Sequence, residues 1–343
     1  MSKHEAKRRS RRFIPNLALL GMASSFSMAS AIFVIGLSGT SSWRIVGLYA
    51  LDPELGFYHR PGARDDWTDL HGNREQASIN SIGLRGREIA PRKSRPRVLL
   101  IGDSMVYGHG VTDGETLPAQ LQELLERSPT PMEVINGGIK GYGIDQEFKL
   151  LGRLMSLQPD YVAWFLYEND FSELNGVELT LFDLDPAGDR LLERDIRESF
   201  YYRSTQQYLA LKDRLPTPVN RWLVLPLWRG TNKVAKWIGD RGLRRRSVLA
   251  AKLRLFTRAL AEASSKGGFR VLLAVLPSQD RHVDKDLSFL KQHSALPILD
   301  LDHDPRLDQG REKLFLTGDS HLSAAGGRRV AEIVRDWIAA QSR

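Results

Sequence analysis

The chain has no cysteine, which excludes disulfides, thiolate metal sites and a lipid-modified cysteine anchor. It has no internal repeat and no low-complexity tract, so repeat architectures are excluded as well. A basic surface is also largely missing from the body of the chain. The formal charge is +8 over 343 residues, but Lys3, Lys7, Arg8, Arg9, Arg11 and Arg12 against Glu5 place +5 of it in the first 12 residues. Only +3 remains for the other 331. A nucleic-acid partner needs a basic face on the folded part, and none is expected here. What is present is a 42% hydrophobic content, enough for an ordinary core in one large domain or two small ones.

Charge is absent a second time, from Phe13 to Ser38, a run of 26 residues. At ~1.5 Å rise per residue a helix of that length crosses a ~30 Å hydrocarbon layer with some tilt. Pro15, Asn16 and several serines and glycines weaken its hydropathy. A cleaved signal peptide and a buried helix are the alternatives, and Ala29-Ser30-Ala31 offers a small-residue cleavage site. The apolar run continues past it through Ile32-Phe33-Val34-Ile35, which suits an uncleaved anchor better. Six basic residues before the span and only Arg44 soon after it orient the amino terminus inward. The expected layout is a cytoplasmic basic tail at 1–12, a transmembrane signal anchor at 13–38, and the rest of the chain in the periplasm, held at the inner membrane by a single pass.

Residues 39–94 look like an irregular connector, punctuated by Asp52-Pro53, Arg60-Pro61-Gly62 and Pro91-Arg92. A single domain follows at 95–343. Apolar, β-branched runs at 97–101, 132–136, 161–167, 270–276 and 296–301 predict strands. Amphipathic stretches at about 115–127, 144–157, 249–267 and 322–341 predict helices. Near-continuous apolar strands separated by helices predict an α/β fold, a flavodoxin-like three-layer α/β/α arrangement on a five-stranded parallel sheet. The interval 172–248 is too long for a simple crossover and reads as a partly helical insertion near the site rim. It holds Pro216, Pro218 and Pro226, Trp222, Trp228 and Trp237, and a basic run from Arg241 to Arg246. The tryptophans suit a local core; carbohydrate stacking or membrane contact is the alternative.

Four short blocks carry chemistry. Gly102-Asp103-Ser104 directly follows a buried apolar run and precedes a glycine-rich stretch, Val106 to Gly114. A serine at such a strand tip is placed as a nucleophile, or as a helix cap. Asn136-Gly137-Gly138-Ile139-Lys140-Gly141-Tyr142-Gly143 has four glycines in seven residues, which frees backbone amides for an oxyanion hole or makes an ordinary tight turn. Tyr167-Glu168-Asn169-Asp170 sets an asparagine amide at another strand tip, as a donor or in an Asx turn. Asp319-Ser320-His321-Leu322-Ser323 precedes the last helix and supplies a base with a carboxylate beside it. Among the other histidines, His4 lies in the basic tail, and His59 and His71 lie in the connector. His282, His293 and His303 lack the acid-plus-glycine setting. His109 belongs to a glycine loop and suits lining a pocket more than acting as base.

Together these blocks resemble the SGNH (GDSL-like) hydrolase family, in its membrane-anchored, exported form, over roughly residues 97–340 apart from the insertion. The resemblance implies Ser104, His321 and Asp319 as catalytic residues, with an oxyanion hole from the Ser104 and Gly141 amides and the Asn169 side chain. It implies neither cofactor nor metal. Two departures stand out. The family's aspartate usually sits three residues before the histidine, where this chain has Gly318; Asp319 stands two before, a spacing similar to that of exported polysaccharide O-acetylation proteins. The glycine usual before the Asn-Asp pair is Glu168. Upstream, Asn80-Ser81-Ile82-Gly83-Leu84-Arg85-Gly86 resembles a lead-in of membrane-anchored members. A structural role is expected for it, with Arg85 as an alternative binder of a substrate carboxylate.

The expected function is an exported, anchored serine esterase that removes acyl, mainly acetyl, groups from a cell-envelope glycan or a small ester. An O-acyltransferase acting on an exopolysaccharide, and a non-catalytic scaffold of a polysaccharide system, are the alternatives.

Overall fold

The computed structural model describes residues 45–167, 170, 180–212, 214–216, 219, 223–228, 230–231, 246–279 and 284–341. The proposed tail and anchor at 1–38 lie outside them. Among the described residues, no helix is long and apolar enough to cross a membrane.

The chain divides into two compact units. The larger, Arg44–Arg197 with Asp240–Arg343, is built on five parallel strands. To reach them the chain first forms two antiparallel hairpins. β1 (Tyr49–Asp52) pairs with β2 (Gly56–His59), and β3 (Arg64–Thr68) pairs with β4 (Arg74–Ser78). The expectation of an irregular connector at 39–94 is therefore corrected for Tyr49–Ser78. β1 and β2 are apolar but only four residues each, too short to show a clear period. β3 and β4 carry few apolar residues, β3 reading Arg-Asp-Asp-Trp-Thr, and turn a charged group, Glu75, inward, which hydrophobic periodicity does not register.

Next come β5 (Arg97–Gly102), β6 (Glu133–Gly138) and β7 (Tyr161–Leu166). A side hairpin of β8 (Phe182–Leu184) and β9 (Leu191–Glu193) follows, then β10 (Arg270–Val275) and β11 (Ile298–Asp300). The sheet order is β11-β10-β7-β5-β6. Counted along the five parallel strands this is 2-1-3-4-5, the doubly wound order of flavodoxin-like folds, with its switch point between β5 and β7. All five predicted strands are found, each within two residues of its predicted start.

Successive residues of β5 are buried on opposite faces, so its whole run Val98-Leu99-Leu100-Ile101 is fully enclosed. On one face Val98, Leu100, Ala163 and Phe165 pack with Leu117, Leu121 and Leu125 of one helix and Val330, Ile333 and Val334 of another. With α1 as the single turn Ser104–Tyr107, those helices are α2 (Leu117–Glu126) and α7 (Ala324–Gln341). On the other face lie α3 (Ile144–Leu154) and α5 (Arg246–Gly267). There the Phe148 ring sits 4.3 Å from Phe256 and 6.2 Å from Trp164. Asp145 binds Lys252 Nζ at 2.7 Å and accepts the Leu181 and Phe182 amides, tying α3 to α5 and β8. Outside the predicted helical stretches lie α6 (Asp284–His293), short and rich in charge, and a single turn at Ile45–Leu48.

The smaller unit contains α4 (Phe200–Lys212). Within it Trp228 stacks on Tyr208, ring centroids 4.9 Å apart, the local-core role expected for a tryptophan of 172–248. Trp222, Trp237 and Arg241–Arg245 lie outside the described residues.

Candidate active site

At the carboxyl end of β5 the chain must turn within two residues. Asp103 makes this possible: its Oδ1 accepts the Met105 amide at 2.9 Å and caps α1. Asp103 is buried, and Ser104 is the next residue, at the first position of the turn. Alpha-1 then crosses the end of β6 so tightly that a Cβ on Gly138 would lie 2.1 Å from the Tyr107 nitrogen. Glycine at 138 is a requirement of this packing.

His321 comes from the other end of the chain. Phe315 and Leu322 form an antiparallel bridge, and the Leu316 amide donates to the His321 carbonyl at 2.9 Å. Between them Gly318 adopts φ +69°, and any Cβ there would meet the His71 ring at 2.7 Å. An aspartate is therefore disfavoured at 318, on backbone grounds and by contact. The carboxylate stands at 319 instead, past the turn. Ser323 closes the loop by accepting the Gly326 amide at the start of α7.

The two loops meet. Ser104 Oγ lies 2.7 Å from His321 Nε2, and His321 Nδ1 lies 2.5 Å from Asp319 Oδ1, which also accepts the His321 amide at 2.9 Å. With the ring proton on Nδ1, facing the carboxylate, the Nε2 lone pair faces the serine hydroxyl. The His321 hydrogen bond holds the Asp319 carboxyl well below the usual carboxylate range, against partial desolvation. Asp319 is thus an anion beside the ring that would gain a proton. Gln279 Nε2 donates to the Asp319 carbonyl at 2.9 Å.

Gly141 occupies the turn after β6 with φ +78° and is exposed. Since Gly102 pairs with Gly138, Ser104 and Gly141 follow the same end of neighbouring strands. Asn169 and Glu168 lie outside the described residues. The next residue, Asp170, is buried and its Oδ2 accepts the Tyr167 amide at 2.7 Å, closing the turn after β7.

A second histidine–carboxylate pair flanks the first. The His109 ring centroid lies 4.4 Å from that of His321, with the planes inclined by 51°. His109 Nδ1 is 3.3 Å from Glu75 Oε2, and His109 Nε2 is 3.9 Å from Asp319 Oδ2. Glu75 is fully buried. It also takes Lys140 Nζ on both oxygens, the Gly110 amide at 2.9 Å and the Tyr107 hydroxyl at 3.3 Å. Burial pushes its carboxyl up, but His109 and Lys140 outweigh this and hold it far below the usual range. Burial also pushes the His109 pKa down, against the pull of Glu75. Sequence reasoning placed His109 at the pocket wall but missed Glu75 and the role of Lys140. No local signal marked Glu75: Arg-Glu-Gln-Ala-Ser shows no apolar alternation, and only the fold buries Glu75 and Ala77 on one face of β4.

Arg85 is a clamp for the serine loop. Its Nε binds Asp113 Oδ1 at 2.9 Å; Nη1 donates to the Tyr107 and Gly108 carbonyls, and Nη2 to those of Gln76 and Val111. All five N–H groups are thereby engaged, so the structural role fits and the carboxylate-binding alternative does not. Behind the site, buried Glu147 accepts Trp164 Nε1 at 2.8 Å, while its Oε1 has no partner among the described residues. Burial first, and the Asp103 charge second, push its carboxyl up, so Glu147 is held neutral.

No protein-family model matches the chain, and no curated protein sequence does. Among solved structures it is similar to the lipase/acylhydrolase of Enterococcus faecalis, at 14% identity, 72% of this chain, 96% of that one and a TM-score of 0.39. It is also similar to a psychrotrophic esterase of Pseudoalteromonas sp. inhibited by monoethylphosphonate, at 12% identity, 71% of this chain, 98% of that one and a TM-score of 0.36.

Proposed function

We propose that this chain is a serine ester hydrolase of the SGNH type, acting on acyl esters. The observation that supports it most is the unbroken chain of contacts from Ser104 Oγ through His321 to Asp319, at 2.7 and 2.5 Å. It stands beyond the carboxyl end of β5, beside the switch point where such sheets bind ligands.

In the proposed course Ser104 Oγ attacks the acyl carbon and its proton passes to His321 Nε2. The Asp319 carboxylate stabilises the imidazolium. The Ser104 and Gly141 amides, with the Asn169 side chain, donate to the tetrahedral oxygen. The C–O bond to the leaving alcohol then breaks as His321 returns the proton to it, leaving the acyl group on Ser104. Water repeats the sequence: His321 takes its proton, the hydroxide attacks, and Ser104 leaves with the proton restored.

The natural substrate we propose is an acetylated cell-envelope glycan. The location goes with it: the uncharged span at 13–38 behind a basic tail anchors the chain with residues 39–343 outside. A reporter fused after Arg343 should be active only beyond the membrane; activity only in the cytosol would overturn that orientation. For the chemistry, purified full-length protein should release acetate from acetyl esters, and Ser104→Ala should not. Adding a glycan acceptor separates hydrolysis from transfer, since acetyl recovered on the glycan assigns the O-acyltransferase instead. No turnover with any acyl donor, with glycan binding retained in Ser104→Ala, leaves only the scaffold.

A further inference from the structure

We propose that His109, Asp319 and His321 form a binding site for one divalent transition-metal ion of the zinc type, and that occupancy switches the serine site off. Each of the three offers one ligand atom, and these atoms all lie within 4.8 Å of one another. In a tetrahedral shell with metal–nitrogen bonds of about 2.0–2.1 Å, ligand atoms stand about 3.4 Å apart. The 3.9 Å between His109 Nε2 and Asp319 Oδ2 therefore closes with a small side-chain rotation. Both rings are only partly buried, so a hydrated ion can reach them, and water completes the shell.

The surroundings favour the assignment. A metal-ligating histidine ordinarily donates its other N–H to a carboxylate, which fixes the tautomer and strengthens the ligand. His109 has this partner in Glu75, which is anchored by Lys140, Gly110 and Tyr107. Lys140 neutralises Glu75, so the added negative charge at the ion is that of Asp319. Two imidazoles and one carboxylate suit zinc, cobalt, nickel or copper better than magnesium or calcium.

Loss of the base follows from the imidazole itself. An ion on His321 Nε2 takes the lone pair that accepts the Ser104 proton. An ion on Nδ1 leaves Nε2 carrying the ring proton, and again no lone pair faces Ser104. Metal binding itself does not depend on the proposed hydrolase activity; only its inhibitory consequence does.

The test uses full-length protein without a polyhistidine tag. Titration with Co2+ at pH 7.5 should give visible d–d absorption saturating at one ion per chain, bleached by equimolar Zn2+. His109→Gln and His321→Gln should each weaken Co2+ binding at least tenfold. Equal uptake by His109→Gln, or no d–d absorption from the wild type, overturns the site. X-ray absorption on the Zn2+-loaded wild type needs no variant: two imidazoles in the shell support the proposal, and fewer than two overturn it. Zn2+ should also abolish ester turnover reversibly, with His109→Gln requiring at least tenfold more. Full turnover with the ion bound overturns the switch; ion binding by a protein with no ester turnover keeps the site and overturns the hydrolase reading instead.

Discussion

Two histidine–carboxylate pairs lie side by side in this protein, and they are built differently. In the pair His321–Asp319 both side chains are about a quarter exposed, and among the described residues Asp319 Oδ1 serves the ring and amide of His321 alone, with His109 3.9 Å from Oδ2. In the pair His109–Glu75 the carboxylate has no exposure and answers to four groups, from Lys140, His109, Gly110 and Tyr107. A carboxylate given over to one ring can respond when that ring gains a proton. One saturated by fixed donors cannot, and instead joins the hairpin of β3 and β4 to the loop after Ser104 and the turn before Gly141. The same residue types thus make, in one place, the pair proposed to handle the proton and, in the other, a brace, a difference set by burial and the number of partners.

The largest expected effect lies on the responsive side. Ser104→Ala should lower turnover of an acetyl ester about 10⁶-fold with the thermal midpoint unmoved; residual turnover within tenfold of wild type would remove Ser104 from the chemistry. Asp319→Asn keeps the shape but loses the charge and the tautomer, and should cost about 10⁴-fold in kcat. Glu75→Ala should do the reverse. It leaves Lys140 largely buried without its counter-charge, so chemical denaturation should show a loss of about 3–5 kcal/mol, while kcat per folded molecule falls far less than in Asp319→Asn. A kcat loss matching that of Asp319→Asn, with stability intact, would erase the distinction between the pairs.

The smallest effect concerns another buried carboxyl, that of Glu147. Glu147 is raised in the folded state by burial and by Asp103. It must take up a proton on folding wherever the unfolded chain would leave it ionised, so it destabilises increasingly as pH rises above its unfolded value. Glu147→Gln removes that penalty. The variant should be more stable than wild type at pH 8, with the advantage vanishing toward pH 4. An advantage independent of pH would show that Glu147 is not held neutral.

Much of the scaffold was legible in the residues. All five parallel strands came from continuous apolar runs because both sheet faces are covered, and four of the main helices came from their periodicity. The shift of the acid from 318 to 319 was visible as a spelling, but its cause was not: only the fold brings His71 against Gly318. The first hairpin was missed because its strands are only four residues long, and the second because its buried positions include Glu75, a residue that hydropathy assigns to the surface. His109 was seen as a pocket residue from its glycine loop, but nothing local announced Glu75, which lies more than thirty residues upstream in the chain.

By itself the sequence determined the alternation of strands and helices, and the presence of a serine, a histidine and an acid at strand and loop ends. These are local properties, carried by apolar period, glycine and capping residues within a few positions of one another. The tertiary structure alone decided that residues 104 and 321, separated by 217 positions, stand 2.7 Å apart. It alone set a second histidine against the first. Such contacts follow from the order of strands in the sheet and from which polar groups find a buried partner, and both are fixed only when distant segments pack together.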